Sequence, residues 1–576
     1  MLDLVIRGAT IVDGTGKLGR PGDLGVADGR IVSVAEPGAL DDPARTTFDA
    51  DGLVVTPGFV DPHTHYDAQL FWDPAASPSN VHGVTSIVAG NCGFTLAPLH
   101  AQDADYLRRM MARVEGMPLA ALEHGVDWAW ESFGEYLDRL DGAIGVNAGF
   151  MVGHCALRRY VMGPEAVGAK ASPEQVEAMV ALLHESIDAG GLGFSTTLSS
   201  SHSDGDGQPV ASRHAATEEL LALCRAVGQH EGAVLEGAFE GGLDQFSDEE
   251  IELVAAMSGA AQRSINWNVL TVDSAVPGRV PRQLQAADAA ATQGGRVVAL
   301  TMPVLVPMNM SFGTFCALFL IPGWGEVLQL PVADKHAKLA DPAVRRRMAA
   351  QAQSEEAGVF RRLADWARYV IGDTYSAANE GLSGRVVEDI ARERGGQDPF
   401  DTLVEIVAAD DFRTVLWPMP TDNDDASWAM RQEVWSDPRV LLGGSDAGAH
   451  LDRMCGATYT TRLLADCLHG RRLASLERAV QMLTEAPAEL FGLRDRGRIA
   501  EGYHADLVVF DPETVGAAHA RLVHDLPGGA ARLTAEAEGM VRVYVGGVAT
   551  VADNQTTGAT PGKVLRSGRD TRTVAV

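Results

Sequence analysis

The chain has 576 residues, of which 46% are hydrophobic and 22% charged, a balance that supports large packed cores and excludes wholesale disorder. Its net charge of −30 argues against a nucleic-acid partner, because phosphate neutralisation needs an excess of cations. Six scattered cysteines (92, 155, 224, 316, 455, 467), with no CxxC pair, are expected to be reduced thiols in a cytoplasmic protein.

The N-terminal run MLDLVIRGATIVDG lacks the basic start and unbroken apolar core of a secretory signal. Residues 3–57 then alternate in short runs (LVIRGATIV, LGVADGRIVSVAE, TTFDADGLVVTPG), punctuated by Gly and Asp, which predicts antiparallel strands and tight turns. The same texture returns in GRIAEGYHADLVVFD (497–511) and GMVRVYVGGVATV (539–551). The two ends are therefore expected to pair into one small β-sandwich, a composite domain of 1–57 and 490–576.

Between them the pattern becomes α/β. Short apolar strands such as SIVAG (86–90), GVNAGFMVG (145–153), LGFSTT (192–197), AVLEGAF (233–239) and VLLGGSD (440–446) alternate with amphipathic helical stretches. Ser172-Pro-Glu-Gln175 opens one such helix as a capping box, and Gly190 and Gly191 stop it. Such alternation over this length predicts a (β/α)₈, TIM-like barrel for 58–489. Leu300 to Leu330, broken by Pro303, Pro307, Pro322 and several glycines, suits a lid and not a membrane span. With the helical stretch 341–371 it is expected to form a cap insertion at about 300–371.

Three motifs carry chemistry. In Gly58-Phe-Val-Asp-Pro-His-Thr-His65 the alternation of a strand turns His63 and His65 to one face, where both can reach one metal ion at a strand end. Gly443-Gly-Ser-Asp-Ala-Gly-Ala-His450 follows the apolar run VLL. Its Asp446 can bind the metal and accept a proton from a metal-bound water. Cys92, in Gly90-Asn-Cys-Gly-Phe94 after another strand, is either a third ligand or a small buried apolar residue. His154 and His450 can line the pocket and hydrogen-bond a substrate carbonyl, and Arg453 can pair with a substrate carboxylate.

These pieces, with VGHCALRRYVMG (152–163), GLGFSTTL (191–198) and the long run LTEAPAELFGLRDRGRIAEGYHADLVVFDP (483–512), resemble the N-acyl-D-amino-acid deacylase branch of the amidohydrolase superfamily. The resemblance spans nearly the whole chain in the expected order. It implies a metal held by His63, His65, Cys92 and Asp446. Many amidohydrolases bridge two metals with a mid-barrel lysine, but the five lysines here (17, 170, 335, 338, 563) sit in no strand-like run, which favours Cys92. The chain also departs from the branch. Its fifth and sixth strand segments, AVLEGAFEGG and RSINWNVL, carry Glu236, Glu240, Asn266 and Asn268 where relatives place ligand histidines. His202 and His214 are read as surface-loop residues, with recruitment to the metal as the alternative.

The resemblance implies a metal-dependent hydrolase of a C–N bond in a small-molecule amide, holding one divalent ion, Zn²⁺ first, with two ions as the alternative. Asp446 is expected to act as general base and then general acid. A cyclic amidase, a non-hydrolytic lyase or isomerase, and a non-catalytic scaffold are the competing readings. No nucleic-acid or membrane partner is expected, and an oligomer is compatible with the sequence.

Overall fold

The computed structural model describes residues 1–576 other than Asp41 and Phe315. Its contacts divide the chain into two compact units, one of 1–306 with 428–576 and one of Pro307–Ser427.

The larger unit is built on a ring of eight parallel strands. They are β1 (Phe59–Asp61), β2 (Val84–Ala89), β3 (Asn147–Phe150, continued by Val152–Gly153), β4 (Gly193–Thr197), β5 (Val234–Ala238), β6 (Ser264–Asn268), β7 (Arg296–Thr301) and β8 (Val440–Leu442). Each pairs in parallel with the next. The ring closes where Thr64, beyond β1, bridges Ala447, beyond β8, and the His65 N–H donates to the Ala447 carbonyl at 2.7 Å. β7 emerges from the run RVVALT, so Leu300 and Thr301 belong to a barrel strand and not to the irregular stretch expected from 300.

Side chains alternate across this sheet as strand geometry requires. In β7, Val297 and Ala299 pack outward with the surrounding helices, while Val298 and Leu300 join Val60, Val88, Met151 and Val234 in a separate cluster. Those strands lie all round the ring, so the second cluster is the barrel's interior filling. Each such buried side chain contributes roughly 1.5–3 kcal/mol. The same parity places Glu236 on the face of Val234 and sets Asn266 and Asn268 opposite to the outward-packed Ile265 and Trp267.

The covering helices start where local chemistry says they should. Ser172 and Gln175 cap one another reciprocally ahead of Pro173–Asp188, and Ser247 with Glu250 repeats the device ahead of Asp248–Ala261. Gly190, at φ 125°, supplies the backbone that no other residue adopts readily where the first of these helices ends.

Both chain ends enter a nine-stranded sheet. Its order runs Gln555–Thr556, Val548–Ala552, Met540–Val545, Leu507–Phe510, Val54–Pro57, Leu2–Ile11, Arg20–Ala27, Arg30–Ala35, with Ala44–Asp49 also paired to Leu2–Ile11. Leu4, Ile6, Leu24, Val26, Val55, Leu507 and Val509 share its core. The last residues return to the barrel: Val564–Leu565 pairs in parallel with Ala148 and Gly149 of β3.

The smaller unit, Pro307–Ser427, has its own core around Phe312, Trp324, Trp366, Phe400, Leu403 and Phe412. Helices Val332–Leu339 and Pro342–Gln353 fall within the expected insertion, and helices Val387–Glu393 and Pro399–Ala409 carry the unit on beyond residue 371. Among the described residues no helix is long and apolar enough to cross a membrane.

Candidate metal centre

His63 and His65 stand just beyond β1, with ring centroids 5.3 Å apart. Asp61, the last residue of that strand, is fully buried and accepts the Ser445 hydroxyl at 2.6 Å. Burial pushes its carboxyl up to about 7. Ser445 Oγ also accepts the Ala447 N–H at 3.0 Å, so this pair ties the end of β1 to the loop that carries Asp446.

Asp446 Oδ1 lies 3.3 Å from His63 Nε2 and 3.8 Å from His65 Nε2, and it accepts the Asn268 amide at 3.0 Å. Burial acts to raise its carboxyl, but the hydrogen bond and charge of His63 hold it below the usual range. The Asp446 side chain is 27% exposed whereas that of His63 is 0% exposed, so the carboxylate is the open edge of the cluster.

Cys92 follows β2 in a loop with Gly90, Cys92 and Gly93 all at left-handed φ. Ser195 of β4 staples this loop, donating to the Gly90 carbonyl at 2.5 Å and accepting the Gly93 N–H at 3.1 Å. A side chain at Gly93 would meet the Thr196 Cα at 3.1 Å, which explains the glycine. Cys92 Sγ comes 3.6 Å from His63 Nε2. Burial, then the nearby carboxylates Glu236, Glu115 and Asp446, raise its thiol well above the ordinary value.

One ligand atom from each of His63, His65 and Cys92 lies within 4.8 Å of the others. A tetrahedral zinc with bonds of about 2.0–2.3 Å sets its donors about 3.3–3.6 Å apart. The 3.6 Å from Cys92 Sγ to His63 Nε2 fits that demand, and Asp446 Oδ1 stands beside the group, 3.3 Å from His63 Nε2 and 3.8 Å from His65 Nε2. All four are at strand ends on the C-terminal rim, where barrel chemistry is done.

The other expected residues separate into two groups. His450 stands next to the cluster, where its charge reaches His65, and Arg453 packs beside it against Gly116 with its Nε 3.1 Å from Asp452 Oδ1. Burial lowers His450 to about 4, leaving a neutral ring able to donate to a substrate. His154 is elsewhere: its Nδ1 meets Thr196 Oγ1 and its Nε2 meets Glu219 Oε1, both at 2.9 Å, while Arg158 grips the same Glu219. With both nitrogens engaged and no exposed surface, His154 has none to offer a substrate carbonyl. It is a buried structural histidine. His202 is not on a solvated loop but packs edge-on to Phe94 at 5.2 Å and bonds Thr197 at 2.7 Å. Burial brings it to about 4, and the charges of His450, Asp446 and His63 reach it.

Two carboxylates escape the sequence reading altogether. Glu115 approaches His65, and Asp61 joins the two motifs; a lone acid in a helix end or before a proline gives no local signal. Asn268 is legible only as a polar residue in a strand.

An eight-stranded parallel barrel with such a donor cluster on its C-terminal rim defines a metal-dependent barrel hydrolase. The model of the amidohydrolase family matches residues 46–555. The D-aminoacylase of Alcaligenes xylosoxydans xylosoxydans is 30% identical over 98% of this chain and 97% of its own length. A D-aminoacylase structure, described for one-metal activation and second-metal attenuation of its binuclear centre, aligns with TM-score 0.63 and 27% identity, covering 98% of this chain and 100% of that one. The N-acyl-D-glutamate deacylase of Bordetella bronchiseptica, solved with zinc and a phosphonate mimic of the tetrahedral intermediate, gives 0.64 at 26% identity over 98% and 100%. The chain belongs to the amidohydrolase family and is a metal-dependent amidohydrolase acting on small-molecule C–N bonds other than peptide bonds.

Proposed function

We propose that the chain hydrolyses the amide of an N-acyl D-amino acid, with one zinc ion held by His63, His65, Cys92 and Asp446. The observation that carries this reading is a thiol and two imidazoles within 4.8 Å of one another, with the Asp446 carboxylate 3.3 and 3.8 Å from the two rings. That mixture of nitrogen, sulfur and oxygen donors suits Zn²⁺ better than Mg²⁺ or Ca²⁺, which take oxygen. The D-amino-acid part is supported by the relatives, a D-aminoacylase and an N-acyl-D-glutamate deacylase.

When bound, the ion supplies Lewis acidity that acidifies a water and polarises the amide carbonyl. Asp446, the one exposed member of the cluster, takes a proton from the attacking water and returns it to the leaving amine nitrogen. The Asn268 amide holds its Oδ1 in place for this exchange. Neutral His450 donates to the substrate carbonyl, and Arg453 receives the substrate carboxylate. Free thiols at all six cysteines fit a reducing, cytoplasmic setting.

Metal content and a panel of N-acyl D- and L-amino acids test the reading together. About one zinc per chain is expected, lost in the His63→Ala/His65→Ala double variant, with turnover confined to D-substrates. No zinc after soaking, or turnover of neither series, overturns it. Asp446→Asn is expected to lower kcat by about 10²–10⁴-fold. Arg453→Met is expected to raise KM about tenfold or more with kcat held, as loss of uniform binding requires.

A further inference from the structure

Behind the four donors lie two carboxylates that the reaction above does not use. Glu236, inside β5 and 0% exposed, places Oε1 3.7 Å from His63 Nδ1. Its Oε2 accepts the Cys92 backbone N–H at 2.7 Å. Glu115, which follows the helix Ala104–Val114 and is 3% exposed, places Oε1 3.5 Å from His65 Nδ1. Its backbone carbonyl accepts the N–H of His450.

The two rings are thus oriented alike. Nε2 of each faces Asp446 Oδ1, at 3.3 and 3.8 Å, and Nδ1 of each faces its own buried carboxylate. Neither Nδ1 has a hydrogen-bond partner, nor does Glu236 Oε1, although all three atoms are buried. Leaving such buried polar atoms unpaired is costly. A closure of a few tenths of an ångström would convert both approaches into charge-assisted hydrogen bonds.

We propose that Glu236 and Glu115 are the positioning residues of a one-ion site: each accepts the Nδ1–H of one histidine, so that both rings offer Nε2 to the same ion. The proposal rests on the metal-site reading above. A histidine that donates Nδ1–H to a carboxylate has its tautomer and its ring plane fixed, and its Nε2 becomes a better ligand. Glu236 also holds the Cys92 backbone, whose φ of 55° lies in the left-handed region that favours glycine. One carboxylate therefore holds two ligands, and in this arrangement it supports an ion from behind and does not bind a second one.

The test is zinc affinity of the full chain, by competition with a chelating chromophore, with Co²⁺ visible absorption reporting the Cys92 thiolate. Glu236→Leu and Glu115→Leu are compared with the isosteric Glu236→Gln and Glu115→Gln, each checked for folding by thermal melting. Affinity is expected to fall about 10–100-fold in the Leu variants, with one ion per chain retained. Glu115→Gln should recover most of it, since an amide oxygen still accepts Nδ1–H. Glu236→Gln should recover less, because one oxygen cannot serve both His63 and Cys92. Folded Leu variants with unchanged affinity overturn the proposal, as does a fall from two ions to one in Glu236→Gln, which would make that residue a ligand. If the Leu variants do not fold, a Glu236→Gln affinity equal to wild type overturns it instead. A wild-type chain that binds no ion overturns the metal-site reading as well, whereas a wild type that binds one with indifferent glutamates overturns this proposal alone.

Discussion

Three residues of the site, Cys92, Asp446 and His450, adopt left-handed backbone at φ 55°, 51° and 49°. Each costs of order 1 kcal/mol or more against an ordinary conformation, and the surrounding contacts must outweigh it. Gly444 shows how little slack remains. Its φ is +84°, and an added Cβ would lie 2.0 Å from Asn268 Oδ1. Gly444→Ala is therefore expected to push Asn268 off Asp446, lowering kcat at least about tenfold while costing stability roughly 1–3 kcal/mol. A variant that melts lower but keeps full kcat would show that the Asn268 bond does not serve the reaction.

At the scale of elements, what matters is how the barrel strands and helices are pinned to one another. His82, fully buried just before β2, ties the helix Tyr459–Leu468 to the loop after the strand Ala530–Thr534, with Nδ1 2.7 Å from Thr461 Oγ1 and Nε2 3.1 Å from the Ala535 carbonyl. Burial holds it down to about 4, against 6.5 in an open chain. Between those values the unfolded chain binds the proton and the folded chain does not, so stability falls as pH drops from 6.5 toward 4. The loss approaches roughly 3 kcal/mol for this one ring. His82→Asn is expected to flatten the dependence of Tm on pH in that window; an unaltered slope would assign the acid sensitivity to other groups. Glu219 plays a comparable structural part, joining His154 to Arg158 inside the unit.

At the scale of the whole molecule, the chain's last strand completes the barrel unit. Val564 and Leu565 are 0% and 1% exposed, and they extend the edge of β3 at Ala148 and Gly149, below the point where Val152 and Gly153 pair with β4. Removal of 562–576 forfeits the burial of these two side chains, roughly 3–6 kcal/mol, together with their ladder. A clear drop in Tm is expected, and an unchanged melting curve would show that the tail only rests on the barrel. The segment 307–427 is different in kind, with a core of its own and none of the proposed ligands.

What the sequence by itself determined is what short-range patterns encode. Strand alternation, capping boxes and glycine stops announce the α/β elements, and an HxH or an aspartate at a strand end marks a rim position because the strand's period does so. His63, His65 and Asp446 are legible for that reason, whereas Cys92 as a ligand and the missing histidine at Glu236 follow only from the resemblance to the deacylase branch. Tertiary structure alone decided the rest. The carboxylate at Glu115 acquires meaning only through His65, fifty positions earlier in the chain. The closure of Thr64 on Ala447 and the return of Val564–Leu565 to β3 join residues too distant for any periodicity to record. His154 was placed in the pocket by its strand and taken out of it by Glu219, a partner on a helix that no spacing rule connects to it. Local propensity selects elements, but which buried polar atoms find one another is settled only when the barrel closes.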